Sequence, residues 1–461
     1  MKPRVVCGAA LAVAVVIAAV ALPGATASAQ DSPATPHYYT TKTPYAPQEE
    51  LGAYQSAPRG FTPVFTENVA RHGSRAMTDS DDGDAVLAVL GRAQAAGQLT
   101  PLGARLAPQV QALLAGASAI GYGNLSGRGA QEQRQTAARL EKRLPSLFSA
   151  IKAGQEPIEV ETSGVARAVA SAGAFTSGLT AGDPGLAPLV QAPVTDKDLL
   201  YFHKQPQNAG YQAYVAGDPD LAAVIATIDG GPDTARSADH VVSRLVTARF
   251  AGSMSGDDRI AFARSLFELY SAAPDLRAEA PGVDLDVFLP AKDARWFAYL
   301  DDAEEFYEKG PAFSGRTITY AMADVLLDDL FAQAEAKADG TSDKGAVLRF
   351  THAEEIEPLA VLLQLPGSTQ AADADPAHPY TYRNNTWRGA DVAPMAANVQ
   401  WDLYAGTPAG GKGHQGRGGT EYLVRMLYNE KETAFKPSCE PVAKGSYFYD
   451  LDELKRCYGQ G

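Results

Sequence analysis

Residues 61–75 read FTPVFTENVARHGSR. The stretch Phe61–Val69 is rich in β-branched and aromatic side chains, which predicts a strand. It runs directly into Arg71-His72-Gly73-Ser74-Arg75. Those residue types at a strand's end suit phosphoryl chemistry. A histidine can attack phosphorus and hold the phosphoryl group covalently. The transferred group spreads negative charge over three oxygens, so positioned cations do most of the work. An arginine fork binds two phosphate oxygens at once. Gly73 lets the backbone come close to the phosphate. The competing reading is a solvated basic turn.

The same order of strand and motif returns late in the chain. Ala346–Phe350 reads as a buried strand, Thr351-His352-Ala353-Glu354 follows, and a helix is expected over Ala353–Leu363. Two readings stand here. Thr351 and Glu354 have the spacing of a capping box, with Glu355 and Glu357 suiting the positive helix end. Alternatively, His352 donates a hydrogen bond to phosphate and Glu354 protonates the leaving oxygen. Both can hold, because a helix N-terminus is itself an anion site.

Between and around these motifs the chain alternates strand and helix. Asp79–Gly83 is turn-like and Asp84–Ala96 helical. Gly129–Leu144 is helical, Pro157–Glu161 a second strand, and Val165–Leu179 a helix carrying Arg167, Ser171 and Phe175. Residues 195–337 are mostly helical, 366–385 loop-like, and Tyr422–Tyr428 the last strand. This predicts an α/β fold with a central mixed sheet, interrupted by a helical insertion. The expected division is an export signal (1–29), an arm or linker (30–58), an α/β domain in two parts (59–194 and 338–461) and the insertion (195–337).

Together the two motifs resemble the histidine phosphatase superfamily, in its acid phosphatase and phytase branch. That branch carries Arg-His-Gly-x-Arg-x-Pro early and His-Asp or His-Ala-Glu late. The His352-Ala353-Glu354 variant is similar to that of the multiple inositol polyphosphate phosphatases. Further similar stretches are Gly123–Ser126, Arg167–Ser171, Tyr307–Pro311, Met395–Asn398 and Asn429–Lys431 followed by Cys439. The resemblance implies His72 as nucleophile and Glu354 as proton donor. It implies Arg71, Arg75, Arg167 and His352 as ligands of the phosphoryl group. Met77 departs from the pattern, standing where proline is usual. Lys204, beside His203, and Lys309 are further candidates for the remaining substrate phosphates.

Bulk properties bound the rest. Lys2 and Arg4, an apolar run over 9–22 and Ala27-Ser28-Ala29 predict an export signal cleaved near Ala29. Loss of Cys7 with that signal leaves Cys439 and Cys457, an even pair that reads as a disulfide in an exported chain. The net charge of −14 gives no general affinity for nucleic acid or anionic lipid. An anionic substrate then needs a local basic pocket. Gly406–Gly413 nearly matches a phosphate-binding loop but lacks the Ser or Thr that holds magnesium, so it reads as a loop before the last strand. The seven histidines show no ligand spacing, and no cofactor or catalytic metal is expected. The expectation is a secreted, monomeric phosphomonoesterase acting on inositol polyphosphates, with no membrane anchor. Its rivals are a broad acid or sugar phosphatase and a protein that binds inositol phosphate without turnover.

Overall fold

Phe61–Arg71 forms an eleven-residue strand, β1, buried on both faces from Phe65 onward. Two-sided burial marks a central strand, which explains why its sequence does not alternate cleanly. The computed structural model describes residues 36–406 and 420–460. The predicted export signal and residues 407–413 of the glycine-rich stretch lie outside the described residues.

Seven further strands complete the sheet: β2 (Ile158–Thr162), β3 (Val194–Thr195), β4 (Ala346–Thr351), β5 (Asn398–Gly406), β6 (Glu421–Tyr428), β7 (Lys431–Thr433) and β8 (Phe448–Asp450). Their order is β3-β2-β4-β1-β5-β6-β7, with β8 against β6. From β3 to β1 the neighbours are parallel. From β1 outward through β5 and β6 they are antiparallel. The fold is therefore α/β around a mixed sheet, as the alternation predicts.

Side chains alternate along β4 as a strand's geometry requires. Leu348 and Phe350 face one core with Phe148, Phe175 and Leu179. Val347 faces the other, with Val69, Val399 and the helices that lie between β3 and β4. Among the described residues no strand forms between Thr195 and Ala346. Arg349, fully buried in β4, meets Glu67 of β1 at 3.0 Å and Glu161 of β2 at 3.1 Å, and also pairs with Asp329. A buried charge persists only when paired in this way.

Several local expectations change. The first helix starts at Asp81, not Asp84, because Asp81 and Asp82 suit its positive end. β5, which is not among the elements expected from the sequence, lies beside β1 in the sheet. The part of the arm around Tyr45 is tied to the sheet and its helices. Tyr45 donates from N–H to Glu132 Oε1 at 3.1 Å and from its hydroxyl to Glu430 Oε2 at 2.9 Å. Cys439 and Cys457 stand as a disulfide pair with Cα atoms 5.3 Å apart. Among the described residues no helix is long and apolar enough to cross a membrane.

Candidate active site

Three parallel neighbours, β2, β4 and β1, end side by side. Arg71 pairs with Thr351, and Thr162 with Phe350. Whatever follows each strand is therefore delivered to one edge, the place where open α/β sheets bind ligands. His72 follows β1, His352 follows β4 and Ser163 follows β2. The His72 N–H donates to Thr351 O at 2.9 Å. The two imidazole rings lie 5.3 Å apart, edge to face.

The ring of His72 is buried and oriented. Its Nδ1 lies 2.9 Å from the Gly73 carbonyl. A carbonyl can only accept, so Nδ1 holds the proton and Nε2 keeps the lone pair. Burial, then the charges of Arg71, Arg167 and Arg75, push the imidazole well below its ordinary value. It is a neutral imidazole with a free ring nitrogen.

The three arginines of the sequence reading converge around it. Arg71 is buried, and one Nη donates to the carbonyls of Thr41 and Ala393. Burial, then Arg167 and Arg71, lowers Arg75 to about 10. Burial also lowers Arg167, against the pull of Glu354. Among the described residues the Nε atoms of all three and Nδ1 of His352 are buried without a hydrogen-bond partner. Each such donor costs about 1–3 kcal/mol when unmet. An anion with three oxygens is the group that could meet several of them at once.

His352 is also held neutral, at about 3, by burial and then by Arg167. It forms the helix N-cap position, and its side chain makes no cap. Thr351 Oγ1 lies 2.7 Å from Leu200 O and 2.8 Å from Glu355 Oε2, so it is engaged there and the capping box with Glu354 does not form. Glu354 is left on the first turn of Ala353–Leu362 with a side chain 29% exposed and 3.7 Å from Lys309. Burial pushes it up, but Lys309 and then His203 outweigh that and hold it well below the usual carboxylate range. Lys309 also donates to Glu305 at 2.7 Å. Lys204 is exposed on the turn after His203. His203 itself is buried with Nδ1 2.6 Å from Glu355 Oε1, so that nitrogen is already taken.

Met77 does not unseat the loop. Gly123 N–H donates to Met77 O at 2.7 Å, and Ala76 N–H to Asn124 O at 3.0 Å. Ser171, on the helix with Arg167, accepts at Oγ from Gly73 N–H. Two residues missed in the sequence also line the site: Ser163 Oγ is 2.8 Å from His352 Nε2, and Tyr201 packs edge-on against His352. Each is a common residue in a turn or helix, and no local pattern singles it out.

A model of the histidine phosphatase superfamily (branch 2) matches residues 65–429. The chain belongs to that superfamily. Human multiple inositol polyphosphate phosphatase 1 is 26% identical over 360 residues, which covers 73% of this chain and 67% of that one. The Bifidobacterium longum multiple inositol polyphosphate phosphatase, solved with inositol hexasulfate, superposes with a TM-score of 0.83 at 34% identity, covering 92% of this chain and 97% of that one. The D. castellii phytase shares the fold at 16% identity and a TM-score of 0.64, covering 92% of this chain and 84% of that one. In this histidine phosphatase the early motif, the late motif and Arg167 all fall inside the matched span.

Proposed function

We propose that the chain is a phosphomonoesterase that hydrolyses inositol polyphosphates, phytate among them, through a phosphohistidine on His72. The observation that carries this is a neutral His72 with a free Nε2, amid four buried donors that lack a partner among the described residues. The 34% identity to an enzyme solved with inositol hexasulfate favours inositol phosphates over small esters.

In the first step His72 Nε2 attacks phosphorus and the P–O bond to the inositol breaks. Glu354 gives its proton to the departing oxygen, which would otherwise leave as a poor alkoxide. Arg71, Arg75, Arg167 and His352 take the charge of the three equatorial oxygens. In the second step the Glu354 carboxylate accepts a proton from water, the hydroxide oxygen bonds to phosphorus and the P–N bond breaks. Neutral His72 and protonated Glu354 are restored. In the free enzyme Lys309 keeps Glu354 ionised. A bound polyanion places negative charge beside the carboxylate and raises it, so substrate and proton arrive together. Lys204 and Lys309 are proposed to face the non-reacting phosphates. Export through residues 1–29, an extracellular setting that keeps Cys439–Cys457 oxidised, and a monomeric state complete the proposal.

The test is phosphate release from phytate, with a chelator present, by wild type, His72→Ala and Glu354→Gln side by side. His72→Ala should lose on the order of a thousandfold or more, and Glu354→Gln on the order of a hundredfold or more. Equal rates for wild type and His72→Ala would remove His72 from the reaction. A small phosphomonoester turned over faster than phytate would favour the broad acid phosphatase instead.

A further inference from the structure

Behind the Arg71–Arg75 loop lies a buried group of three side chains, Ser74, Glu132 and Asp275, all under 6% exposed. Ser74 Oγ is 2.8 Å from Glu132 Oε1 and 2.8 Å from Asp275 Oδ1. A serine hydroxyl has one proton to give, so it cannot donate to two carboxylates at once. With both acids ionised, one of these contacts would set lone pair against lone pair in a dry interior. One carboxyl of the pair therefore carries a proton.

The surroundings say which. Glu132 accepts two backbone amides, Ser74 N–H at 2.8 Å and Tyr45 N–H at 3.1 Å, and Arg128 stands 3.6 Å away. Those donors stabilise its charged form. Asp275 has a single long amide contact, Arg75 N–H at 3.4 Å. The proton belongs on Asp275 Oδ1, which donates to Ser74 Oγ, which donates to Glu132. Other charges facing this turn are accounted for. Glu268, on the preceding helix Gly256–Ala272, is taken by Lys42 at 3.0 Å. The helix Gly103–Ile120 packs against the same turn and carries only Arg105, near its far end. Glu279 accepts from Gly127 N–H.

We infer that Asp275 is a positioning residue for phosphate: protonated, it holds the Arg71–Arg75 loop through Ser74, and ionised it loosens that hold and draws Arg75 away from the substrate. The inference takes the loop as the phosphate cradle proposed above. Burial and the neighbouring Glu132 push Asp275 up to about 7, which puts the change within reach of ordinary conditions. The sign follows. Anion binding is strongest below that value and weakens as pH rises through it, because the free protein then loses a proton that the loaded cradle keeps. The effect falls on binding and on kcat/KM, which report the free enzyme. Glu354 acts in the complex and sets kcat.

Inositol hexasulfate is the probe, because its sulfate groups stay ionised throughout and any pH dependence belongs to the protein. Its affinity for the full-length chain is measured from pH 5 to 9 for wild type, Asp275→Asn and Glu132→Gln, all three in a Glu354→Gln background that removes the proton uptake proposed for that carboxylate. Wild type should weaken on the order of tenfold, the scale of one added charge near the site. The amide introduced by D275N keeps the donor to Ser74 and cannot ionise, so that variant should stay within about twofold across the range. Glu132→Gln removes the like charge beside Asp275, so its midpoint should move to lower pH. A D275N curve that falls in step with wild type overturns the inference and leaves the phosphatase reading intact. If D275N does not fold, an E132Q midpoint equal to that of wild type overturns it equally. No binding by wild type at any pH sinks the cradle and this inference together.

Discussion

At His72 the carbonyl of Gly73 selects which ring nitrogen is available, and a similar selection operates on His352. Val165 N–H donates to Ser163 Oγ at 3.4 Å, which uses that oxygen as an acceptor. Among the described residues that buried hydroxyl has no acceptor other than His352 Nε2 at 2.8 Å, so its proton is assigned there. A neutral imidazole that accepts at Nε2 carries its proton on Nδ1, the atom without a partner among the described residues. Ser163→Ala should release that choice. The expected outcome is a five- to tenfold fall in kcat/KM, about the worth of one buried hydrogen bond, with Ser163→Thr restoring most of it. Nitrogen NMR of the His352 ring would show the tautomer directly, and an unchanged ring in Ser163→Ala would refute the assignment. The contrast between residues that were legible and those that were not has a physical cause. Arg71, His72 and Arg75 fall within one stretch of five residues, and His352 and Glu354 flank one helix start, so spacing alone exposes them. Ser163 lies 189 residues from His352, and Asp275 lies 201 from Ser74. Only the fold brings such pairs together.

Among elements, the Arg71–Arg75 loop and the start of helix Gly127–Arg143 approach backbone to backbone at the site. A Cβ on Gly73 would sit 2.5 Å from Gly129 O, and one on Gly129 would sit 2.1 Å from Ser74 O. Both obstacles are backbone, so a side chain at either place must push helix and loop apart. That helix carries Glu132, and also Gln133, which donates to Arg71 O at 2.9 Å. Gly129→Ala should cost about 1–3 kcal/mol and at least tenfold in kcat/KM. Gly173→Ala is the control: it faces open space on helix Ala166–Gly182 and should be neutral or gain up to about 1 kcal/mol. Thermal melts and phytate kinetics on both variants decide, and a Gly129→Ala protein as stable and active as wild type would disprove the tight seat. Element identity was readable wherever apolar period was plain, as in β1, β4 and the helices after them. It failed at β5. There Val399, Trp401 and Leu403 alternate with Asn398, Gln400 and Asp402, and both sets are buried. The polar set reads as solvent-facing in the sequence. In the fold Arg143 meets Gln400 and Asp402, and Arg425 of β6 meets Asp402 at 3.0 Å.

Across the whole molecule, the sheet is built from both ends of the chain, so its stability depends on holding the C-terminal part against the middle. Leu454 of helix Leu451–Tyr458 is buried in the larger core. Tyr458 packs near Phe331 and Phe435, and its hydroxyl donates to Leu363 O at 3.2 Å. The Cys439–Cys457 pair joins this helix to the segment after β7 and closes a loop with a sequence separation of 18. In the chain-entropy account a loop of that size stabilises by about 3 kcal/mol. Unfolding entropy grows with chain length, so in a domain of this size the loss amounts to only a few degrees of Tm. The bond lies in the part of the chain that follows β7, while the reacting groups stand at the ends of β1, β2 and β4. Cys439→Ser/Cys457→Ser should therefore melt a few degrees lower and keep wild-type kcat/KM on phytate at 25 °C. Calorimetry on the double variant, with kinetics on the same preparation, tests both halves. An unshifted Tm would mean that packing of Leu454 and Tyr458 already holds the terminus unaided. A lost kcat/KM at full folding would mean that the C-terminal helix sets the geometry of β4 through Leu363, one residue beyond the helix that carries Glu354.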